Sequence, residues 1–442
     1  MKRGLASLLA AGLGLAASLH AAGAQAQSPA DPSAQAAALD SQRDIVLAVD
    51  NPLVAVPVRA GSNVLGYASA KPYGAGRQAV SALEALKRRY GLSEMAAWPI
   101  KPLGLYCAVL RPPPGVSRDE LLAALAADDR VQLAQPLQDF AVYASSPVDE
   151  KPTAPAARYN DPYIDLQRGF IATDAADAQT HTQGQGVEVA IVDTGADTTH
   201  PDLRGRIRGT HDLVDAQMSP SFDREAHGTE VAGIIAANSN NHLGIAGIAP
   251  KAMLSIYKAC WYPAQADAGA RCNSFTLAKA LVAVSDSRAR VVNLSLGGPT
   301  DPLLRRLLGQ LLDQGRIVVA ALPPDGRLAG FPTDTPGVIA VRASRSTTAP
   351  AGVLDAPGDD ILTTQPGGGY DFSSGSSMAA AHVSGVAALL VSLAPELDAR
   401  SVQALMLKTR KPSEGTLQVN AEAAVEALNS TTGKSVSRTV QP

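Results

Sequence analysis

The chain has 442 residues, 46% of them hydrophobic and 18% charged, with a formal net charge of -3. That length and apolar content allow two or three domains with buried cores and exclude a chain that is disordered throughout. Near-balanced charge with no long basic run gives no electrostatic reason for nucleic acid or an anionic membrane as partner, so the substrate must be read from the site.

The N-terminus carries Lys2 and Arg3, an apolar stretch to about residue 22, and then Ala24-Gln25-Ala26. This order predicts a removable export signal over residues 1–26 and places the protein outside the cell or in a periplasm. A retained anchor is the weaker reading, because the stretch is short and rich in Ala rather than Leu. No other segment is read as long and apolar enough to span, so no stable membrane span is expected once the signal is removed. Residues 27–50, rich in Ala, Ser, Pro and Asp, are expected to form a flexible leader.

Residues 51–143 are read as a unit of their own. An extended run near 53–68, a helix over 77–90, strands near 95–101 and 104–111, a helix over 117–127 and a strand over 131–137 give the order βαββαβ of a small ferredoxin-like α+β domain. Ser117 with Glu120 three residues on predicts a capping box at the second helix. Cys107, within the apolar run 104–110, reads as a small core residue.

Residues 144–157 hold three prolines among small and charged residues, which marks an exposed junction open to proteolysis. From 158 to 430, apolar β-rich runs at 187–193, 253–258, 290–295, 316–321 and 337–342 alternate with helical patterns near 228–238, 274–287, 301–314, 377–393 and 399–408. Alternation of this kind implies an α/β domain with a mostly parallel sheet flanked by helices. Residues 431–442 form a polar tail. Cys260 and Cys272 lie close together in an exported chain, which favours a local disulfide over two free thiols or a metal pair. Closing that loop adds about 3 kcal/mol in the chain-entropy picture.

In a parallel sheet the working groups lie beyond the carboxyl ends of the strands. The run 187–192 ends in Asp193-Thr194-Gly195, a carboxylate at a strand end. His227-Gly228-Thr229 opens an apolar helix, whose dipole disfavours a charged ring and favours a neutral base. Gly375-Ser376-Ser377-Met378-Ala379 puts a hydroxyl at a tight turn before a long small-residue helix, suited to a nucleophile or, more plainly, to an N-cap. Each feature alone has an ordinary structural explanation. Together, in the order Asp, His, Ser on a parallel sheet, they match a known order of the Ser-His-Asp triad. In that scheme Ser377 attacks a carbonyl, His227 takes and returns the proton, and Asp193 orients the imidazole.

The segments IVDTG (191–195), HGTEVAGI (227–234) and SGSSMAAAHVSG (374–385) resemble the three signature segments of the subtilisin-like serine peptidase family. The likeness extends through DTTHPDL (197–203), GIAGIAP (244–250), NLSLGG (293–298), FPTDTPGVIAV (331–341), DAPGDDILTT (355–364) and VNAEAAV (419–425). It implies a secreted endopeptidase acting on extended polypeptides, a monomer with no organic cofactor, in which Ser295, Leu296 and Gly297 pair with substrate by strand addition. It also implies that the βαββαβ unit is an inhibitory propeptide whose last strand occupies the cleft, with the mature chain beginning somewhere in 138–158. Family calcium sites match Asp202 and Asn241, which offer hard oxygen ligands but serve equally well as turn residues.

One departure concerns catalysis. Where the family has a Gly-Asn pair whose Asn donates to the oxyanion, this chain has Pro323-Pro324, and proline has no donor to give. Ser376, or Asp325 if protonated, is a candidate replacement, and Asp325 near the specificity pocket suggests a preference for basic residues. Ala381 for the usual Pro removes no catalytic group. The competing readings are a weakly active or non-catalytic peptide-binding protein, which Pro324 motivates, and a broader ester hydrolase, which has no need of NLSLGG.

Overall fold

The computed structural model describes residues 38–52, 73–143, 159–214, 222–263, 269–343, 350–413 and 416–432. The export signal over 1–26, the extended run near 53–68, the junction over 144–157 and all but the first two residues of the tail lie outside them.

The N-terminal part runs β1 (Ile45–Asp50), α1 (Arg77–Tyr90), β2 (Ser93–Ile100), β3 (Leu105–Arg111), α2 (Arg118–Ala126) and β4 (Val131–Pro136). The strands form an antiparallel sheet in the order β2-β3-β1-β4, as a βαββαβ unit requires. Its first strand lies inside the stretch read as a flexible leader, which is corrected for residues 45–50. IVLAV shows no alternation because both faces of β1 are covered. Ile45, Leu47 and Val49 face α1 and α2, whereas Val46 and Ala48 join a second core with the helices of the larger domain. Trp98 meets Phe275 across that seam edge to face at 4.7 Å. At α2, Ser117 accepts from the Glu120 N–H at 3.5 Å, the expected cap in its backbone half.

After β5 (Asp139–Val142), two short helices, α3 (Arg168–Ala172) and α4 (Ala175–Ala178), lead into the larger domain. It continues through β6 (Glu188–Asp193), β7 (Ile207–Asp212), α5 (Ala226–Ala236), β8 (Met253–Lys258), β9 (Arg271–Asn273), α6 (Ser274–Ser285), β10 (Val291–Leu294), β11 (Leu296–Gly297), α7 (Pro302–Asp313) and β12 (Ile317–Ala321). Then come β13 (Ile339–Ala343), β14 (Leu354–Ala356), the hairpin β15 (Ile361–Gln365) and β16 (Gly369–Ser373), α8 (Ser376–Leu393), α9 (Ala399–Lys408), β17 (Lys411–Ser413), β18 (Thr416–Gln418) and α10 (Ala421–Thr432).

Nine strands form one sheet in the order β17-β18-β14-β13-β12-β10-β6-β8-β7, parallel except for the β17–β18 hairpin at its edge. The chain winds one way from β6 to β8 and the other way from β10, so the switch point lies between β6 and β10, where clefts form beyond the strand ends. The central strands are continuous buried apolar runs, such as IVVAA in β12. α7 presents Leu303, Leu304, Leu307, Leu308 and Leu311 on one stripe, capped by Asp301 with Pro302 in its first turn. α8 is buried along nearly its whole length among small residues. It is also long and apolar enough to cross a membrane by composition, which corrects the expectation that no second segment is. Its burial in the core accounts for that composition.

Candidate active site

Asp193 closes β6 in register with Lys258 of β8 and is fully buried. Its Oδ1 accepts from the Thr194 N–H at 2.7 Å and lies 2.8 Å from Nδ1 of His227. Two glycines make that approach possible. Gly195 has φ of 121°, in the region that favours glycine, and a Cβ on Gly228 would collide with the Gly195 carbonyl oxygen. The Gly228 N–H donates to Thr194 Oγ1 at 3.3 Å, fixing the start of α5 onto the turn after β6.

His227 sits inside the first turn of α5, whereas the sequence pattern put it just before the helix. Burial, the largest influence on its imidazole, pulls the pKa down. The charge of Asp193, the hydrogen bond to it and the charge of Glu230 outweigh burial, and the pKa is raised above its ordinary value. The expected dominance of the helix dipole is therefore corrected: the carboxylate is closer and carries a full charge.

Below this pair lies an ionic contact that sequence reasoning missed. Lys258 Nζ, 2% exposed, donates at 2.6 Å to the Thr194 carbonyl and at 2.6 Å to Glu225 Oε1. It ties the residue after Asp193 to the residue that opens the helix of His227. The available signal was a single lysine ending the apolar run MLSIYK. Tyr262, also missed, places its phenol at the backbone of His227; burial first, then the charges of Asp193 and Glu230, raise its pKa.

Ser377 is not an N-cap. That position is Gly375, with φ of 141° and no side-chain capping bond, and Ser377 stands one residue inside α8. Its Oγ donates to the Ser295 carbonyl at 3.1 Å. Among the described residues, His227 Nε2 and Asp193 Oδ2 are buried with no hydrogen-bond partner.

Ser295, Leu296 and Gly297 follow β10 and carry a visiting strand. β5 lies antiparallel to β11, with Val142 opposite Leu296 and Ala141 opposite Gly297, while its other edge pairs with β9. The second wall is tied to the site covalently. Cys272 of β9 bonds to Cys260, whose N–H donates to the Asp193 carbonyl at 3.1 Å. Cys107 is free and buried, and burial pushes its thiol pKa up.

Pro324 and Asp325 lie exposed beyond the end of β12. A replacement donor from Ser376 meets an engaged hydroxyl, because its Oγ donates to the Leu322 carbonyl at 2.6 Å. Asp325 accepts from the Arg327 N–H at 3.0 Å.

Asp202 and Asn241 do come together, but as partners of each other. Asp202 accepts from Asn241 Nδ2 at 2.6 Å, the Tyr370 hydroxyl at 2.9 Å and the Ile245 N–H at 3.0 Å. Asn241 Oδ1 in turn accepts from the Leu243 N–H at 2.8 Å. Three donors converge on this carboxylate, whereas calcium needs oxygen lone pairs. These residues do not fit the expected cation, and Tyr370 is the residue that fills the space beside them.

The Subtilase family matches residues 184–433, more than half of the chain. The chain belongs to the subtilase family. It is a serine endopeptidase, a hydrolase of peptide bonds, and its substrates are polypeptides. Thermitase from Thermoactinomyces vulgaris is 36% identical over 279 residues, covering 61% of this chain and 97% of thermitase. Thermophilic serine proteinase from Bacillus sp. (strain AK1) is 39% identical, covering 47% of this chain and 52% of that protein. Subtilisin E from Bacillus subtilis (strain 168) is 37% identical, covering 51% and 60%, so the chain spans little more than half of these last two. The crystal structure of fervidolysin from Fervidobacterium pennivorans, described as a keratinolytic enzyme related to subtilisin, superposes with a TM-score of 0.67. Its 20% identity and cover of 87% of this chain and 61% of fervidolysin show a shared fold.

Proposed function

We propose that Asp193, His227 and Ser377 are the catalytic triad of this endopeptidase, and that the chain is an exported precursor that processes itself. The observation that carries this reading is the buried Asp193–His227 contact of 2.8 Å at the sheet's switch point. Ser377 stands in the first turn of the neighbouring core helix. Ser377 Oγ attacks the scissile carbonyl while His227 Nε2 takes its proton; the imidazolium then protonates the leaving amine, and water releases the acyl group by the reverse path. Asp193 holds the Nδ1 proton and stabilises the charged ring. Ser295, Leu296 and Gly297 align the substrate by strand pairing. The βαββαβ unit acts as an inhibitory propeptide, a role supported by β5 lying along those residues and by Ser377 being 0% exposed beneath it. Export to the periplasm or medium rests on residues 1–26, and the protein works as a monomer.

Pro324 favours a second reading, a weakly active or non-catalytic protein that holds extended peptides, because the usual side-chain donor to the oxyanion is missing. Labelling with a serine-directed phosphonate separates the two. Stoichiometric modification of Ser377 in the processed wild type supports the peptidase reading. No labelling, with equal processing of wild type and Ser377→Ala, overturns it.

A further inference from the structure

The helix that carries His227 and the turn that carries Ser377 are joined by a side chain the triad does not use. Glu230 lies on α5 three residues after His227, on the same side of the helix, and is 8% exposed. Its Oε2 accepts from the Ser373 hydroxyl at 2.9 Å and its Oε1 from the Gln365 side-chain amide at 2.8 Å. Both donors belong to the β15–β16 hairpin. Gln365 closes β15, and Ser373 closes β16 four residues before Ser377.

The same hairpin grips the backbone of α5. Thr363 Oγ1 donates to the Glu230 carbonyl at 2.6 Å and Thr364 Oγ1 to the Thr229 carbonyl at 2.7 Å, and a Cβ on Gly233 would overlap Thr364 Oγ1. From Ser373 onward each residue is anchored in turn. The Ser374 hydroxyl accepts from the Asp360 N–H at 2.9 Å, and the Gly375 N–H donates to the Gly358 carbonyl at 2.6 Å. The Ser376 and Ser377 hydroxyls donate to the carbonyls of Leu322 and Ser295. Of these five anchors, the one at Ser373 ends on the helix of His227. A hydroxyl-to-carboxylate bond between two buried groups is short-ranged and directional, so it holds the spacing between that helix and the strand into Ser377 within narrow limits.

We propose that Glu230 is a positioning residue for the reaction: its bond to Ser373 sets the helix of His227 against the strand that leads into Ser377, and its carboxylate places a second negative charge one turn from the imidazole. The inference rests on the reading of Asp193, His227 and Ser377 as the triad and adds a residue that acts through them. When His227 Nε2 takes the Ser377 proton the ring becomes cationic. A fixed negative charge at this helical spacing, about 5–6 Å between Cβ atoms, favours the cationic ring over the neutral one. The donors to Glu230 are an amide and a hydroxyl, and neither cancels its charge. Among the described residues, the other titratable groups around the ring are Asp193 on β6, Glu225 at the start of its own helix, Lys258 on β8 and the Tyr262 phenol at its backbone. Lys258 is paired with Glu225, and burial first keeps Tyr262 neutral, which leaves Asp193 and Glu230 as the charges that act on the imidazole. The influences on the His227 pKa agree: burial lowers it, and Asp193 and then Glu230 raise it.

The test measures kcat and KM against pH on one extended peptide, with phosphonate labelling of Ser377 as the check on the triad. Glu230→Gln keeps the size and hydrogen-bonding capacity of the side chain but removes its charge. It should move the acidic limb of kcat/KM down by about half a pH unit to one unit and lower kcat several-fold, with KM within about twofold. Ser373→Ala keeps the charge and cuts the bridge. It should lower kcat about three- to tenfold, with KM within about twofold and the limb where the wild type has it. Ser373→Thr, which keeps the hydroxyl, should recover most of that loss. Three results, each with Ser377 labelled in the wild type, overturn this inference and leave the triad reading intact: a wild-type limb in Glu230→Gln, a wild-type kcat in Ser373→Ala, or a Ser373→Thr protein as slow as Ser373→Ala. Absence of labelling in the wild type overturns both.

Discussion

Ser377 gives its hydroxyl proton to the carbonyl oxygen of Ser295, at 3.1 Å, rather than to His227. The imidazole, already bound through Nδ1 to Asp193, keeps Nε2 free among the described residues. In the proposed triad, attack requires a rotation of the Ser377 side chain toward the ring, and that rotation is productive only when the ring is neutral.

The pH profile should report this. Because the pKa of His227 is raised above 6.5 by Asp193 against the opposing effect of burial, kcat/KM should rise with an apparent pKa above 6.5. Asp193→Asn removes the two larger raising influences and leaves burial opposed only by the weaker charge of Glu230, so the limb should shift below 6.5 while the rate falls by a factor on the order of 10⁴. A wild-type limb at or below 6.5, unmoved by the substitution, counts against this electrostatic account.

Pro324 should limit turnover. Loss of one oxyanion donor costs about 10²–10³ in turnover, a magnitude taken from a subtilisin, so Pro324→Asn should raise kcat at least tenfold with KM little changed. Steady-state kinetics on an extended peptide measure it. An unchanged kcat would mean that another group already supplies the donor.

Acid should weaken the fold through His382. Burial, opposed by the Met378 and Pro357 carbonyls, pulls its pKa down to about 4. The unfolded chain takes up this proton near pH 6.5 and the folded chain only near 4. Stability is therefore complete above 6.5 and falls across that interval by on the order of 3 kcal/mol. His227 shifts the other way, adding stability below 6.5 that is lost as pH rises through its folded pKa. Denaturant unfolding of the Ser377→Ala protein at pH 7 and 4.5 should show the loss; equal stability at the two values would contradict it.

The Asp202 site should be indifferent to chelators. With its carboxylate saturated by Asn241, Tyr370 and Ile245, Tyr370→Phe should cost about 1–2 kcal/mol by removing one donor from a buried charge. Stability of Tyr370→Phe and the wild type should respond equally little to EDTA. A large fall in the wild-type Tm on chelation would show that a cation is bound after all.

The parallel sheet and its helices were legible because strands covered on both faces read as unbroken apolar runs and α7 as a stripe of leucines. The same property hid β1. IVLAV directly follows a polar stretch and shows no alternation, and only its burial between two cores identifies it as a strand. The Asp193–His227 pairing was legible from the order Asp, His, Ser on a parallel sheet and from the segments around them, whereas the close approach of Gly195 and Gly228 that lets the two turns touch was not. Lys258 and Glu225 were not, because their partnership joins residues from different elements and neither lies in a recognisable motif. Asp202 and Asn241 were read from their match to family calcium positions as cation ligands or, equally, as turn residues, but the hydroxyl that occupies their neighbourhood comes from Tyr370, far along the chain. Tyr143 read only as the last residue of the unit over 51–143, and the strand pairing of β5 places it over Gly297.

The most direct test of the triad is a comparison of kcat/KM for the wild type, Ser377→Ala, His227→Ala and the double variant on one extended peptide. Groups that act as a unit should each cost a factor on the order of 10³ or more alone, and the double variant should be no slower than either single one. Single variants that retain the wild-type rate, or losses that multiply in the double variant, would contradict a triad formed by Asp193, His227 and Ser377.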